Sequence, residues 1–113
     1  MSSLSNKSCV PCRGGIAPLT KNEYEPLLAE LGEEWEVIDT HHLEKTILLK
    51  NFTEALTLTN QVGSIAEKEG HHPDIELGWG RVKIIIWTHK IDGLSESDFI
   101  LAAKISAIGK IAA

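Results

Sequence analysis

Residues 67–98 read EKEGHHPDIELGWGRVKIIIWTHKIDGLSESD, and the punctuation of this stretch decides the fold. Gly70 closes a helical pattern, because glycine takes the left-handed backbone conformation without steric cost. Pro73 drives His72 out of the α region towards extended backbone. Two strand-type runs follow, Asp74–Leu77 and Arg81–Thr88, around a Gly78-Trp79-Gly80 turn of hairpin composition. In an antiparallel hairpin centred near Gly80, opposed positions sum to about 160. His71 then falls beside His89, so three of the five histidines, His71, His72 and His89, converge at one end of the hairpin.

Outward from the hairpin, the chain alternates helical and strand patterns. Asn51 or Thr53 can cap a helix running to about Glu69, with Phe52, Ala55, Leu56, Val62, Ile65 and Ala66 on its apolar face. On the other side, Ser95 with Asp98 three residues later resembles a capping box and opens a helix to about Ile111. Further upstream, Trp35–Asp39 and Leu43–Lys50 read as strands. Thr20 and Glu23 form a capping box ahead of Tyr24, Leu27, Leu28 and Leu31, a helical stripe that Gly32 ends.

The order helix-strand-strand-helix-strand-strand-helix predicts an α+β, two-layer domain. A four-stranded antiparallel sheet carries three helices packed on one face. Residues 1–18, rich in Ser, Gly and Pro, are expected to be a flexible N-terminal arm, with one domain over 19–113. Along Arg81–Thr88, Val82, Ile84 and Ile86 point one way and Ile85 and Trp87 the other. Large apolar groups on the open face call for cover by a second subunit, a substrate cavity, or the arm folded back over them.

A formal net charge of −5 with scattered Lys and Arg argues against nucleic-acid binding by phosphate neutralisation. No run approaches the roughly 20 apolar residues of a membrane span, and no apolar signal core opens the chain, so a cytoplasmic location is expected. Cys9 and Cys12 form a C-x-x-C pair without the helix that usually follows a redox motif; the simplest reading is two free thiols on the arm. A second doublet, His41-His42, lacks a following proline and a partner across a hairpin. It reads as a solvated turn and serves as an internal control.

Imidazole titrates at roughly 6.5, so clustered histidines can both give and take protons near neutral pH. Adjacent residues in extended backbone point apart, so His71 and His72 are poorly placed to share a metal and have different tasks. Acid–base catalysis without metal or cofactor is the expectation.

Glu67, His71-His72-Pro73, Trp79, His89 and Asp98, at these spacings, resemble the signature of the pterin-4a-carbinolamine dehydratases. Gly93-Leu94-Ser95 and Asn51-Phe52 are also similar to that family, and the likeness covers about residues 17–112. The resemblance implies a hydro-lyase that converts a 4a-hydroxytetrahydropterin to quinonoid dihydropterin and water in tetrahydrobiopterin recycling. By the same resemblance, His72 would bind the pterin and take the N5 proton, and His71 and His89 would act as acids on the two faces of the hydroxyl-bearing carbon. Pro73, Trp79, Glu67 and Asp98 would line or shape the substrate site. A homodimer or homotetramer is implied as well. The alternatives are a pterin-binding protein without turnover and an accessory protein that stabilises another protein's dimer.

Overall fold

The computed structural model describes residues 4–9, 16–32 and 34–112, with side chains to residue 108. Its main elements are α1 (Lys21–Leu31), β1 (Glu36–Ile38), β2 (His42–Leu48), α2 (Phe52–Glu69), β3 (Asp74–Gly78), β4 (Arg81–Ile86) and α3 (Glu96–Ala112). The four strands form one antiparallel sheet in the order β1-β2-β4-β3. The three helices pack together, and α2 lies against β3 and β4. This is the two-layer α+β arrangement read from the sequence, with strand ends shifted by one or two residues.

The helix starts follow from their caps. The Thr20 backbone N–H donates to Glu23 Oε1 at 2.8 Å, and the Asn51 side chain accepts from Glu54 N–H at 2.9 Å. Each contact satisfies a backbone donor or fixes a first turn that the helix itself leaves unpaired. Gly70, at φ 65°, ends α2 as the spacing predicts. Its N–H donates to Glu67 O and that of His71 to Ala66 O, a Schellman pair that fixes the direction in which the chain leaves the helix.

Val82, Ile84 and Ile86 of β4 and Leu43 of β2 are completely buried under the helices. The α3 helix is buried over an unbroken run from Ser97 to Ala103, more than one face. The reason is a short 3-10 turn, Leu4–Asn6, that covers α3 from outside. Leu4 is 1% exposed, and Lys104 Nζ donates to Ser5 O at 3.0 Å. Residues 4–9 therefore pack on the helical layer, where the sequence suggested a free arm or one folded over the open sheet face. A polar, Gly/Pro-rich composition conceals the single leucine that docks. Cys12 and its neighbours lie outside the described residues, and so does the C-x-x-C pair as a unit.

The β3–β4 pairs sum to 159, from Asp74↔Ile85 to Gly78↔Arg81, one less than the sequence suggested. Gly80 supplies the positive φ of 68° that the two-residue turn requires. A Cβ there would come within 3.0 Å of the Leu49 carbonyl oxygen.

Candidate active site

The end of α2, the link into β3 and the end of β4 meet around a cavity of about 290 Å³. Gly70, His71, His72, Trp87, Thr88, His89 and Lys90 line it. The Schellman turn at Gly70 delivers His71 and His72, and Pro73 follows them into β3 without itself lining the cavity. His89 arrives from the other side on a short 3-10 turn, His89–Ile91. Thr88 N–H donates to Gly93 O at 2.8 Å, closing that turn into a small loop. The loop is buttressed from outside, because a Cβ on Gly93 would meet Pro18 Cβ at 2.5 Å.

His71 and His72 are each held by a different carboxylate, as divergent side chains in extended backbone require. His71 Nε2 lies 2.6 Å from Asp98 Oδ1. Asp98 is 0% exposed, and its second oxygen accepts from Thr88 Oγ1 and from Ser95 N–H, both at 2.8 Å. One buried carboxylate thus caps α3, ties β4 to it and orients His71. The ionised carboxylate accepts a hydrogen bond from Nε2–H, which leaves Nδ1 as the His71 nitrogen for a ligand. His72 Nε2 lies 2.6 Å from Glu67 Oε1, with both side chains mostly in solvent.

His89 is positioned by ring packing. Its imidazole sits 4.3 Å from the Trp87 ring, tilted by 55°. Trp87 therefore serves as a cavity wall, one of the explanations its place on the open sheet face allowed. Trp79 is elsewhere: it sits at the tip of the hairpin, at the opposite end from the cavity, and is 74% exposed. Hairpin composition showed that it lay in a turn, and the register puts that turn away from His71.

His41 lies in the β1–β2 turn, as read, but the doublet is more than a solvated turn. His41 Nε2 lies 2.7 Å from Asp92 Oδ1 and His42 Nε2 lies 2.8 Å from Glu44 Oε2. Both rings pack on Trp87, with centroids at 5.4 Å and 6.1 Å. The physical reason is sheet order. With β2 beside β4 and Leu43 opposite Ile86, the next step along places His42 by Trp87. Thr88 and Lys90 were also missed as cavity residues. Thr88 lies two residues past β4 but keeps the inward phase of Val82, Ile84 and Ile86, which could have revealed it.

Cys9 is no candidate nucleophile. Burial, and then the neighbouring Glu69 carboxylate, push its thiol up to about 12. Its N–H donates to Glu69 Oε1 at 2.9 Å, and its Sγ lies 3.5 Å from Ser97 O.

A family model described as pterin 4 alpha carbinolamine dehydratase matches residues 17–108. A protein of Alkaliphilus metalliredigens, provisionally named a pterin-4-alpha-carbinolamine dehydratase, is 56% identical over 93% of this chain and 95% of its own. A Rubrobacter xylanophilus protein with the same provisional name is 53% identical over 96% of this chain and 100% of its own. Among solved structures, a transcriptional coactivator/pterin dehydratase from Brucella melitensis superposes with a TM-score of 0.75 at 30% identity. It covers 81% of this chain and 98% of its own. A pterin dehydratase-like RuBisCO assembly factor of the alpha-carboxysome shares the fold, with a TM-score of 0.58 at 18% identity. That match covers 70% of this chain and 93% of the other.

Proposed function

The chain belongs to the pterin 4 alpha carbinolamine dehydratase family, and from that premise we propose that His71, His72 and His89 carry out the dehydration as acids and bases. The protein is a dehydratase, a carbon–oxygen lyase, as its relatives' names consistently have it. The observation that carries the histidine reading is the convergence of the three imidazoles on one cavity, with His71 fixed by the buried Asp98.

In the proposed reaction, the C4a–O bond of a 4a-hydroxytetrahydropterin breaks, and its electron pair leaves with the protonated hydroxyl as water. The N5–H pair becomes the C4a=N5 double bond, and a base takes the N5 proton. No net electrons enter or leave. His72 is the base at N5. It sits at the rim with Glu67, which holds its Nε2 proton and leaves Nδ1 to accept. His71 and His89 are acids for the hydroxyl on either face of the ring. When doubly protonated, His71 keeps the carboxylate on Nε2 and offers the Nδ1 proton; the Ser-His-Asp triad divides the work in the same way with the two nitrogens exchanged. Acid–base groups placed this way contribute about 10²–10⁴ each. The 290 Å³ cavity lies at the small end of ligand sites, which span roughly 300–1,000 Å³, and suits a compact bicyclic ring.

We place this activity in tetrahydrobiopterin recycling, in the cytoplasm, with the protein as a homodimer or homotetramer. No described helix is long and apolar enough to cross a membrane. The Brucella neighbour is described as both a transcriptional coactivator and a pterin dehydratase, so an accessory role is the second reading; it places no demand on three imidazoles around a cavity. The deciding measurement is the rate of carbinolamine dehydration with purified protein. Acceleration well above the spontaneous rate, in proportion to protein, supports the enzyme, and its absence leaves the accessory reading.

A further inference from the structure

His41 reaches the loop that carries His89 at two points. Its ring lies on Trp87, which in turn packs on the His89 ring. Its Nε2 holds Asp92 at 2.7 Å, and Asp92 ends the His89–Ile91 turn by donating its N–H to His89 O at 3.2 Å. Asp92 adopts a φ of 50°, an uncommon conformation for a residue with a side chain, so its place depends on such contacts. His71 and His72 each have a carboxylate on the ring. Among the described residues no hydrogen bond reaches the His89 ring, so its orientation rests on Trp87 and on the shape of its loop.

The doublet carries a second constraint. Nδ1 of His41 and Nδ1 of His42 face each other at 3.1 Å. Each ring already offers its Nε2 proton to a carboxylate, His41 to Asp92 and His42 to Glu44. The two rings also meet edge to face, with centroids 5.3 Å apart, so His42, itself packed on Trp87, holds His41 in place.

We propose that His41 is a positioning residue for His89: through Trp87 and Asp92 it fixes the loop presenting that imidazole to the cavity. The inference rests on His89 being one of the acids of the reaction.

The test combines kcat and KM with carbon-edited NMR of the His89 ring, which packs 4.3 Å from the Trp87 ring. His41→Ala should lower kcat about three- to tenfold with KM within about twofold, a fraction of what a positioned acid contributes. It should also move the His89 ring resonances, because the packing of that ring on Trp87 changes. Asp92→Ala, which removes the acceptor of the His41 ring, should reproduce the kcat loss even if His41→Ala disturbs its own turn. The double variant should be no worse than the poorer single one. Unchanged kcat and unchanged His89 resonances in His41→Ala overturn the proposal. Full activity in His89→Ala overturns instead the catalytic reading beneath it, and the two failures are thereby distinguishable.

Discussion

The Asp98 carboxylate reaches His71 Nε2 at 2.6 Å from a position with no exposure to solvent. The same group accepts from Ser95 N–H, the cap of α3, and from Thr88 Oγ1 at the end of β4. The start of one helix, the end of one strand and the orientation of one imidazole are therefore a single hydrogen-bonded unit. Such networks are stable when fully satisfied and costly when one member is changed.

Asp98→Asn tests this coupling. An amide nitrogen cannot accept, so at least one of the three donors now facing the carboxylate loses its partner. We expect a loss of about 1–3 kcal/mol in chemical denaturation, the cost of one buried unsatisfied group. We also expect a roughly tenfold or greater fall in kcat, because the preferred tautomer of His71 is no longer enforced. Normal activity in a destabilised protein would separate the cap from the site.

His71→Ala, His72→Ala and His89→Ala should each lower dehydration at least about tenfold while far-ultraviolet circular dichroism stays unchanged. His72 and Glu67 are both exposed, and surface ion pairs contribute about 0–1 kcal/mol. Glu67→Gln should therefore cost only about twofold. A Glu67 effect as large as that of His72→Ala would mean the carboxylate itself takes part in proton transfer.

Much of this was legible in the sequence because glycine, proline and caps act locally. Gly70 and Pro73 fixed the exit from α2, Gly80 the hairpin turn, and Ser95-Asp98 the start of α3, so three histidines could be brought together on paper. Strand order is not local. Nothing in residues 35–50 says that β2 will lie beside β4 rather than β3, and only that adjacency carries His41 and His42 to Trp87. Leu4 was hidden for a different reason: one apolar residue in a polar segment has no periodicity to reveal its partner. Asp98 showed its capping role through spacing with Ser95, but its bond to His71 spans 27 residues and needed the fold.

The N-terminal segment should be held in a pH-dependent way. Glu69 sits below its ordinary value of 4.5, chiefly because the Cys9 N–H donates to it. Glu44 is lowered by its hydrogen bond with His42. A depressed folded value means stability that is present above pH 4.5 and lost as pH falls through the lower, folded value. Stability should thus decline on acidification from about pH 4.5, and less steeply in Glu69→Gln. The Cys9 thiol, pushed up to about 12, should alkylate far more slowly at pH 8 than an exposed cysteine, since the thiolate is the reactive form. Peptide mapping showing Cys9 labelled at the rate of an unstructured thiol would mean that residues 4–9 do not dock in solution.

Gly93→Ala should disturb His89 from behind. The new methyl group would meet Pro18, a rigid ring, at 2.5 Å. Overpacking of this kind costs about 1–3 kcal/mol. The strain falls on the Thr88–Gly93 bridge that closes the His89 loop, so kcat should fall along with the melting temperature. A fully active, fully stable variant would show that Pro18 gives way without cost.

The last prediction concerns assembly. Trp87 is accounted for within one chain, as a cavity wall packed by His41 and His42, and needs no partner. Ile85, on the same face, is half-buried, and the exposed large apolar groups lie elsewhere. Leu48 is 78% exposed at the end of β2, opposite Arg81, and Trp79 is 74% exposed at the tip of the adjoining hairpin. Phe52 at 46% and Leu56 at 42% follow on the first turns of α2. Single exposed apolar residues are ordinary, but several at one end of a small domain mark an interaction surface. A second copy is the proposed occupant, so light scattering at micromolar concentration should give two or four times the 12.4 kDa of one chain. Leu48→Lys combined with Trp79→Lys places unpaired charges in that contact and should shift the mass towards one chain. The histidine site would be untouched by the change. A wild-type mass of 12.4 kDa removes the oligomer, and an unaltered assembly in the double variant moves the interface to another face.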